Sequence, residues 1–185
     1  MRTFFAVPVN ETLKQVLLSQ LKTLKSQPWT SLVHWVPEEN WHLTLKFLGE
    51  ITSDQAKSIE TAMQNWFAEG MSYFDAEALA IKGFPQAKSG PFIVATFDAT
   101  LLLQSLVREI EDQLRSFEIP KEKRAFRPHI TLGKWQGEQD AFPELEVPLD
   151  QAWLRVDRLN LYESAQGRGR HQYKLLASQL LDTYD

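Results

Sequence analysis

Cysteine is absent from the 185 residues. That excludes disulfides, a thiol nucleophile and thiolate metal ligation, and leaves nothing that calls for an oxidising compartment. Long apolar runs are missing too. No stretch reaches the roughly 18 apolar residues of a membrane-spanning helix. The first ten residues carry one arginine and a short apolar run broken by Pro8, without the apolar centre of a signal peptide. A soluble cytoplasmic protein is expected. An excess of positive charge is also lacking: 20 Lys and Arg stand against 24 Asp and Glu, a net charge of −4. A protein that coats nucleic acid would be basic overall, so an anionic ligand must be met by a local basic patch. Neither His-x-His nor His-Glu-x-x-His spacing occurs, so no metal site and no cofactor are expected.

What is present suits one domain over residues 1–185. Hydrophobic residues make up 43% and charged residues 24%, with eleven Phe, six Trp and four Tyr for a packed core. Residues 3–9 read as a strand. Leu13, Val16, Leu17, Leu21 and Leu24 keep helical spacing behind Asn10, a plausible N-cap. Short strands are expected over 31–36 and 41–48. Thr52 and Gln55 have capping-box spacing ahead of Ala56, Ile59, Met63, Trp66 and Phe67. Strands over 73–81 and 92–97 flank a loop with Gly83, Pro85, Gly90 and Pro91. A third helix carries Leu103, Leu106, Val107, Ile110 and Leu114. Residues 137–148, rich in proline and acid, read as a surface loop. The last strands are placed at 152–162 and 173–181, joined through a Gly167/Gly169 turn. Helices intermixed with hairpin-like strands predict an α+β fold with antiparallel sheets.

One motif occurs twice. His42-Leu-Thr-Leu45 and His129-Ile-Thr-Leu132 both lie in predicted strands. Alternation puts His42 and Thr44 on one face, with Leu43, Leu45 and Phe47 in the opposite layer; His129 and Thr131 follow the same rule. A single His-x-Thr in a strand is more often packing than chemistry, but two matching copies favour chemistry. Phosphoryl hydrolysis needs a base for water and an acid for the leaving oxygen, and imidazole titrates near pH ~6.5. Threonine hydroxyls can donate to the non-bridging oxygens of the transition state. Arg127 and Lys134, with Lys121, Lys123 and Arg124, surround the second motif. Arg168, Arg170, His171 and Lys174 form another basic cluster. Both clusters suit a phosphate, though any one of these charges is equally well a solvated loop residue.

The chain resembles the two-histidine phosphoesterase superfamily, in particular the RNA 2′,3′-cyclic phosphodiesterases first described as 2′–5′ RNA ligases. The likeness rests on Arg2-Thr-Phe-Phe-Ala-Val-Pro8, Trp41-His-Leu-Thr-Leu-Lys-Phe-Leu-Gly-Glu50, Arg127-Pro-His-Ile-Thr-Leu-Gly-Lys134, Leu161-Tyr-Glu-Ser164 and Tyr173. It implies a bilobal α+β fold: two antiparallel sheets with flanking helices and pseudo-two-fold symmetry around a central cleft. It further implies metal-independent hydrolysis of a 2′,3′-cyclic phosphate at RNA or nucleotide ends to a 2′-phosphate, with reversible 2′–5′ joining. His42, Thr44, His129 and Thr131 then carry catalysis, with His42 expected as acid and His129 as base. Relatives often have Arg where this chain has Lys134, which alternation places on the face away from His129. Arg127, Lys134, Phe47, Arg168, Arg170 and His171 are the candidate substrate contacts, with Phe126 and Trp135 as further stacking candidates. For Phe47 core packing is the stronger expectation, and His34 is read as structural. A monomer is expected. The competing reading is a nucleotide- or RNA-binding module of the same fold without turnover. A small cyclic phosphate or a 2′–5′ oligonucleotide as substrate also stays open.

Overall fold

A computed structural model describes residues 1–67, 70–167 and 170–182, with side chains 166–170 outside the description. Its elements run β1 (Arg2–Pro8), α1 (Glu11–Leu24), β2 (Val33–Trp35), β3 (His42–Glu50), α2 (Ser53–Met63), β4 (Phe74–Gln86), β5 (Gly90–Phe97), α3 (Leu101–Leu114), β6 (His129–Trp135), β7 (Glu146–Pro148), β8 (Trp153–Val156), β9 (Arg158–Gly167) and β10 (Arg170–Leu180). None of the described helices is long and apolar enough to cross a membrane.

The strands follow the order β10-β9-β1-β3-β6-β5-β4-β7, with β2 beside β6 and β8 beside β4. The paired strands are antiparallel, as the fold class expects. The ten strands form one sheet, not the two that the resemblance implied, because β3 and β6 pair across the middle. The two halves meet there through one rung, Leu43 opposite Ile130. The succession β1–α1–β3 is repeated by β5–α3–β6, which gives the lobes their pseudo-two-fold relation.

One face of this surface is apolar and covered by helices. Phe5, Val7, Leu43, Ile93, Ala95, Ile130, Leu159 and Leu161 form a single cluster with Leu13, Leu17 and Leu21 of α1, Ile59 and Met63 of α2, and Leu103, Leu106, Ile110 and Leu114 of α3. Phe4, Ala6, Ala80 and Val94 are also buried but stand outside that cluster, because they alternate onto the other face. The helix starts follow the sequence closely. Thr52 and Gln55 form the expected capping box, and Thr100 caps α3 through the amide of Leu103. Asn10 stands at the N-cap of α1 but makes no cap bond. Its side chain bonds β8 instead, accepting from the Arg155 amide and donating to the Trp153 carbonyl.

Four local expectations change. The 83–91 loop shrinks to a tight turn, because β4 and β5 stay paired out to Gln86 and Gly90. The stretch 137–148 contains β7 and buries Phe142 and Leu145, so it is a packed edge of the second lobe. The single strand at 152–162 breaks at Asp157 into β8 and β9. Trp66 and Phe67 lie beyond the end of α2, yet both are buried.

Candidate active site

The two motifs lie side by side on the face that the helices leave open. In β3, Pro8 pairs with His42 and Ala6 with Thr44; the next rung jumps to Phe5 with Lys46. Leu45 is therefore a bulge residue. In β6, Thr96 pairs with His129 and Val94 with Thr131, and then Ile93 pairs with Gly133. Leu132 is the matching bulge. Each bulge falls on the fourth residue of its motif and reverses the alternation beyond it. Lys46 and Gly133 turn to the core, while Phe47 and Lys134 come up beside the histidines.

This corrects two expectations. Phe47 does not join the core layer: it is 62% exposed, with its ring 6.0 Å from that of Phe4. Lys134 does not face away from His129: it shares that face, with Nζ 5.6 Å from the centre of the Phe92 ring. His34, expected to be structural, is exposed and stands opposite Lys134 in the β2–β6 ladder. Trp135 is buried among Trp29 and Phe142 and offers no stacking surface.

The histidines are held alike. His42 Nδ1 lies 2.7 Å from the Asn40 carbonyl and His129 Nδ1 lies 2.8 Å from the Arg127 carbonyl, in each case two residues back along the chain. A carbonyl only accepts, so each Nδ1 carries the proton and donates it. That leaves Nε2 with a lone pair in the neutral ring. The Leu43–Ile130 rung places the imidazoles on a diagonal of the ladder, which spans roughly 7–8 Å between backbones. Thr44 and Thr131 are half-buried on the same face.

The walls are aromatic. Phe4, Tyr162 and Tyr173 surround His42, with ring centres 5.0, 6.4 and 5.1 Å away. Phe84 lies 4.1 Å from His129 and carries the Arg127 guanidinium at 4.5 Å. Sequence reasoning missed Phe4, Phe84 and Phe92, since only the cross-strand pairing brings them to the motifs. Burial is the main reason that both imidazoles are held below their ordinary value; the carbonyl bonds oppose it. The charge of His129 adds to the depression at His42, and that of Arg127 adds to it at His129. Burial pushes the Tyr173 phenol up, so it stays a neutral donor.

The remaining candidates divide. Arg127 is exposed and donates to the Pro85 carbonyl at 3.0 Å. Arg124 is occupied by Glu122 at 3.1 Å, a hydrogen bond that holds the Glu122 carboxyl down to about 2. Phe126 lines a small cavity next to His129 with Phe84, Thr96 and Arg127. His171 is exposed, and its carbonyl accepts from Asn40 Nδ2 at 3.0 Å, which latches the β9–β10 hairpin to the loop that orients His42. Arg168 and the side chain of Arg170 lie outside the described residues. Among the described residues no group of three or more His, Cys, Asp or Glu could hold a metal ion.

The chain is similar to known proteins along nearly its whole length. The profile of the family described as LigT like Phosphoesterase matches residues 7–92 and 98–173. An RNA 2′,3′-cyclic phosphodiesterase of Thermotoga maritima is 32% identical over 95% of this chain and 93% of its own. One from Bacillus subtilis is 25% identical over 86% of each chain. Among solved structures, a Thermus thermophilus protein superposes with a TM-score of 0.82 at 22% identity, covering 98% of both chains. Apo E. coli LigT superposes at 0.74 and 23%, covering 97% of this chain and 96% of its own. At those identities the structures show the shared fold. The family match runs through both His-x-Thr strands and most of the chain between and around them, and on that ground the chain belongs to the LigT-like, two-histidine phosphoesterases.

Proposed function

We propose that this chain hydrolyses a ribose 2′,3′-cyclic phosphate at RNA or nucleotide ends to a 2′-phosphomonoester, without a metal. One observation carries the reading: two imidazoles share an open face on neighbouring strands, each fixed through Nδ1 so that Nε2 is the reactive nitrogen. The cyclic phosphate would lie between them. His129 Nε2 takes a proton from water, and the resulting hydroxide oxygen bonds to phosphorus. The bond from phosphorus to O3′ breaks, and His42 Nε2 gives its proton to O3′. Solvent then restores the two protonation states. The neighbouring charge of Arg127 disfavours imidazolium at His129, which suits a base. Thr44 and Thr131 donate to the non-bridging oxygens as negative charge builds there. With a ribose 5′-hydroxyl in place of water, the same steps make a 2′–5′ linkage. The names of the Thermotoga maritima and Bacillus subtilis relatives support this substrate class.

The test is incubation with adenosine 2′,3′-cyclic phosphate in a chelator. Adenosine 2′-phosphate should form, with no 3′ isomer. Replacing His42 or His129 with Ala should lower kcat by about 10²–10⁴ each, the usual worth of a positioned proton transfer. Turnover that survives either replacement unchanged eliminates the mechanism. Binding of the substrate without any ring opening by the intact protein would favour the binding-module reading.

A further inference from the structure

Residues 118–128 connect α3 to β6 and so deliver Arg127 and His129 to the site. Residues 120–125 of this segment are all exposed, and no burial fixes their course. Among the described residues, two hydrogen bonds tie that exposed part to the rest of the chain. Lys46 Nζ donates to the Pro120 carbonyl at 2.7 Å. The Glu122 amide donates to Glu111 Oε1 at 3.3 Å. Lys46 and Glu111 are themselves an ion pair at 3.0 Å, 5% and 9% exposed, between β3 and α3. Lys46 reaches this place only because the bulge at Leu45 turns it to the helix side of the sheet.

The junction between the lobes needs such a tie. The ladder supplies one rung, Leu43 to Ile130. On the His42 side of that rung, β2 continues along β6 and pairs across residues 133–135. On the Thr44 side β3 and β6 part, and there Lys46 bridges. The matching position in the other lobe is Gly133, where a Cβ would meet Val33 Cγ1 at 2.6 Å and Trp35 Cε3 at 3.0 Å. No side chain fits there because β2 already fills the space. The restraint is therefore built differently on the two sides of one symmetric site.

We propose that Lys46 is a positioning residue: from the strand that carries His42, it grips Glu111 and the Pro120 carbonyl, and so fixes the segment that places Arg127 and His129. It touches no substrate. It sets the distance between the imidazoles, and its kinetic consequence rests on the function proposed above.

Changing Lys46 alone strands a buried carboxylate, so fold and function would fail together. The double variant Lys46→Met/Glu111→Leu removes both charges, and apolar replacement of a buried ion pair is often neutral or stabilising. Its thermal midpoint should equal or exceed the parent's. Amide exchange over residues 119–128 should quicken. On adenosine 2′,3′-cyclic phosphate, kcat should fall about 100-fold, the scale of a misplacement near 1 Å, with KM unchanged. Lys46→Arg keeps the charge and the donors, and should keep most of the rate and the protection. A double variant with the parent's midpoint and the parent's kcat overturns the proposal, as does unchanged exchange over 119–128. Should the double variant not fold, Lys46→Gln/Glu111→Gln, which also removes both charges, gives the same reading: a fall in kcat at constant KM supports the tie, and the parent's kcat refutes it. If the intact protein opens no cyclic phosphate, the functional reading fails, and the exchange measurement still decides the role of Lys46.

Discussion

An imidazole becomes a useful base or acid only when its ring is aimed and its proton affinity set. Here the aiming comes from main chain, the carbonyls of Asn40 and Arg127, so it survives changes in the side chains around it. The proton affinity comes chiefly from burial. Phe84, its ring centre 4.1 Å from that of His129 and tilted against it, covers the imidazole on the second-motif side. Replacing Phe84 with Leu opens His129 to water, and its affinity should then rise back toward the ordinary value near pH ~6.5. In the intact enzyme both limbs of the kcat/KM profile should lie at or below about pH 6.5, because both free-enzyme imidazoles are depressed. The limbs belong to the coupled pair. With His129 as base, the acid limb reports its loss of a proton, so Phe84→Leu should move that limb upward and narrow the bell. A pH series on the two proteins measures it. An acid limb that stays in place would show that Phe84 does not set the affinity of His129.

At the scale of the strand, the repeated bulge decides what the site contains. Simple alternation is right through His42 and Thr44 and again through His129 and Thr131, then fails at Leu45 and Leu132. Nothing in the composition of either motif marks the extra residue, since leucine suits a paired position as well as a bulge. The sequence could therefore show which four residues share a face, but not that Phe47 and Lys134 join them. It also could not show which aromatic residues form the walls. Phe4 and Tyr162 reach His42 by pairing across β1 and β9, and Phe84 and Phe92 reach the second motif across β4 and β5. Phe47 now has a role open to test. Its exposure means that Phe47→Ala should change stability by no more than about 0.5 kcal/mol. Stacking on a base is worth about 1–3 kcal/mol, so KM for adenosine 2′,3′-cyclic phosphate should rise about 5- to 150-fold, with kcat held. Ribose 2′,3′-cyclic phosphate, which has no base, should show no such rise. Equal effects on both substrates would mean that Phe47 shapes the phosphate site and not a base-binding surface.

Across the whole molecule, the order of helices and strands was largely legible because each helix announces itself by spacing, and α2 also by its cap, Thr52 with Gln55. The order of strands in the sheet was not, because β9 and β10 return from the far end of the chain to flank β1. Nor was the packing of 137–148, where Phe142 and Leu145 are hidden among acidic and proline neighbours. The assembled site in turn acts on the stability of the fold. In the unfolded chain His42 and His129 titrate near pH ~6.5; in the native protein burial holds both lower. As the pH falls through about 6.5, the unfolded chain binds protons that the native state refuses, so stability drops. The loss continues until the native imidazoles also protonate, and then levels off. Replacing both with Gln removes this dependence and leaves every other titrating group in place. The difference in unfolding free energy, variant minus parent, should therefore grow in the variant's favour from pH 7.5 to pH 5, as urea denaturation at each pH would measure. Parallel stability curves for the two proteins would mean that the imidazoles titrate alike folded and unfolded, and that the fold exerts no hold on their charge.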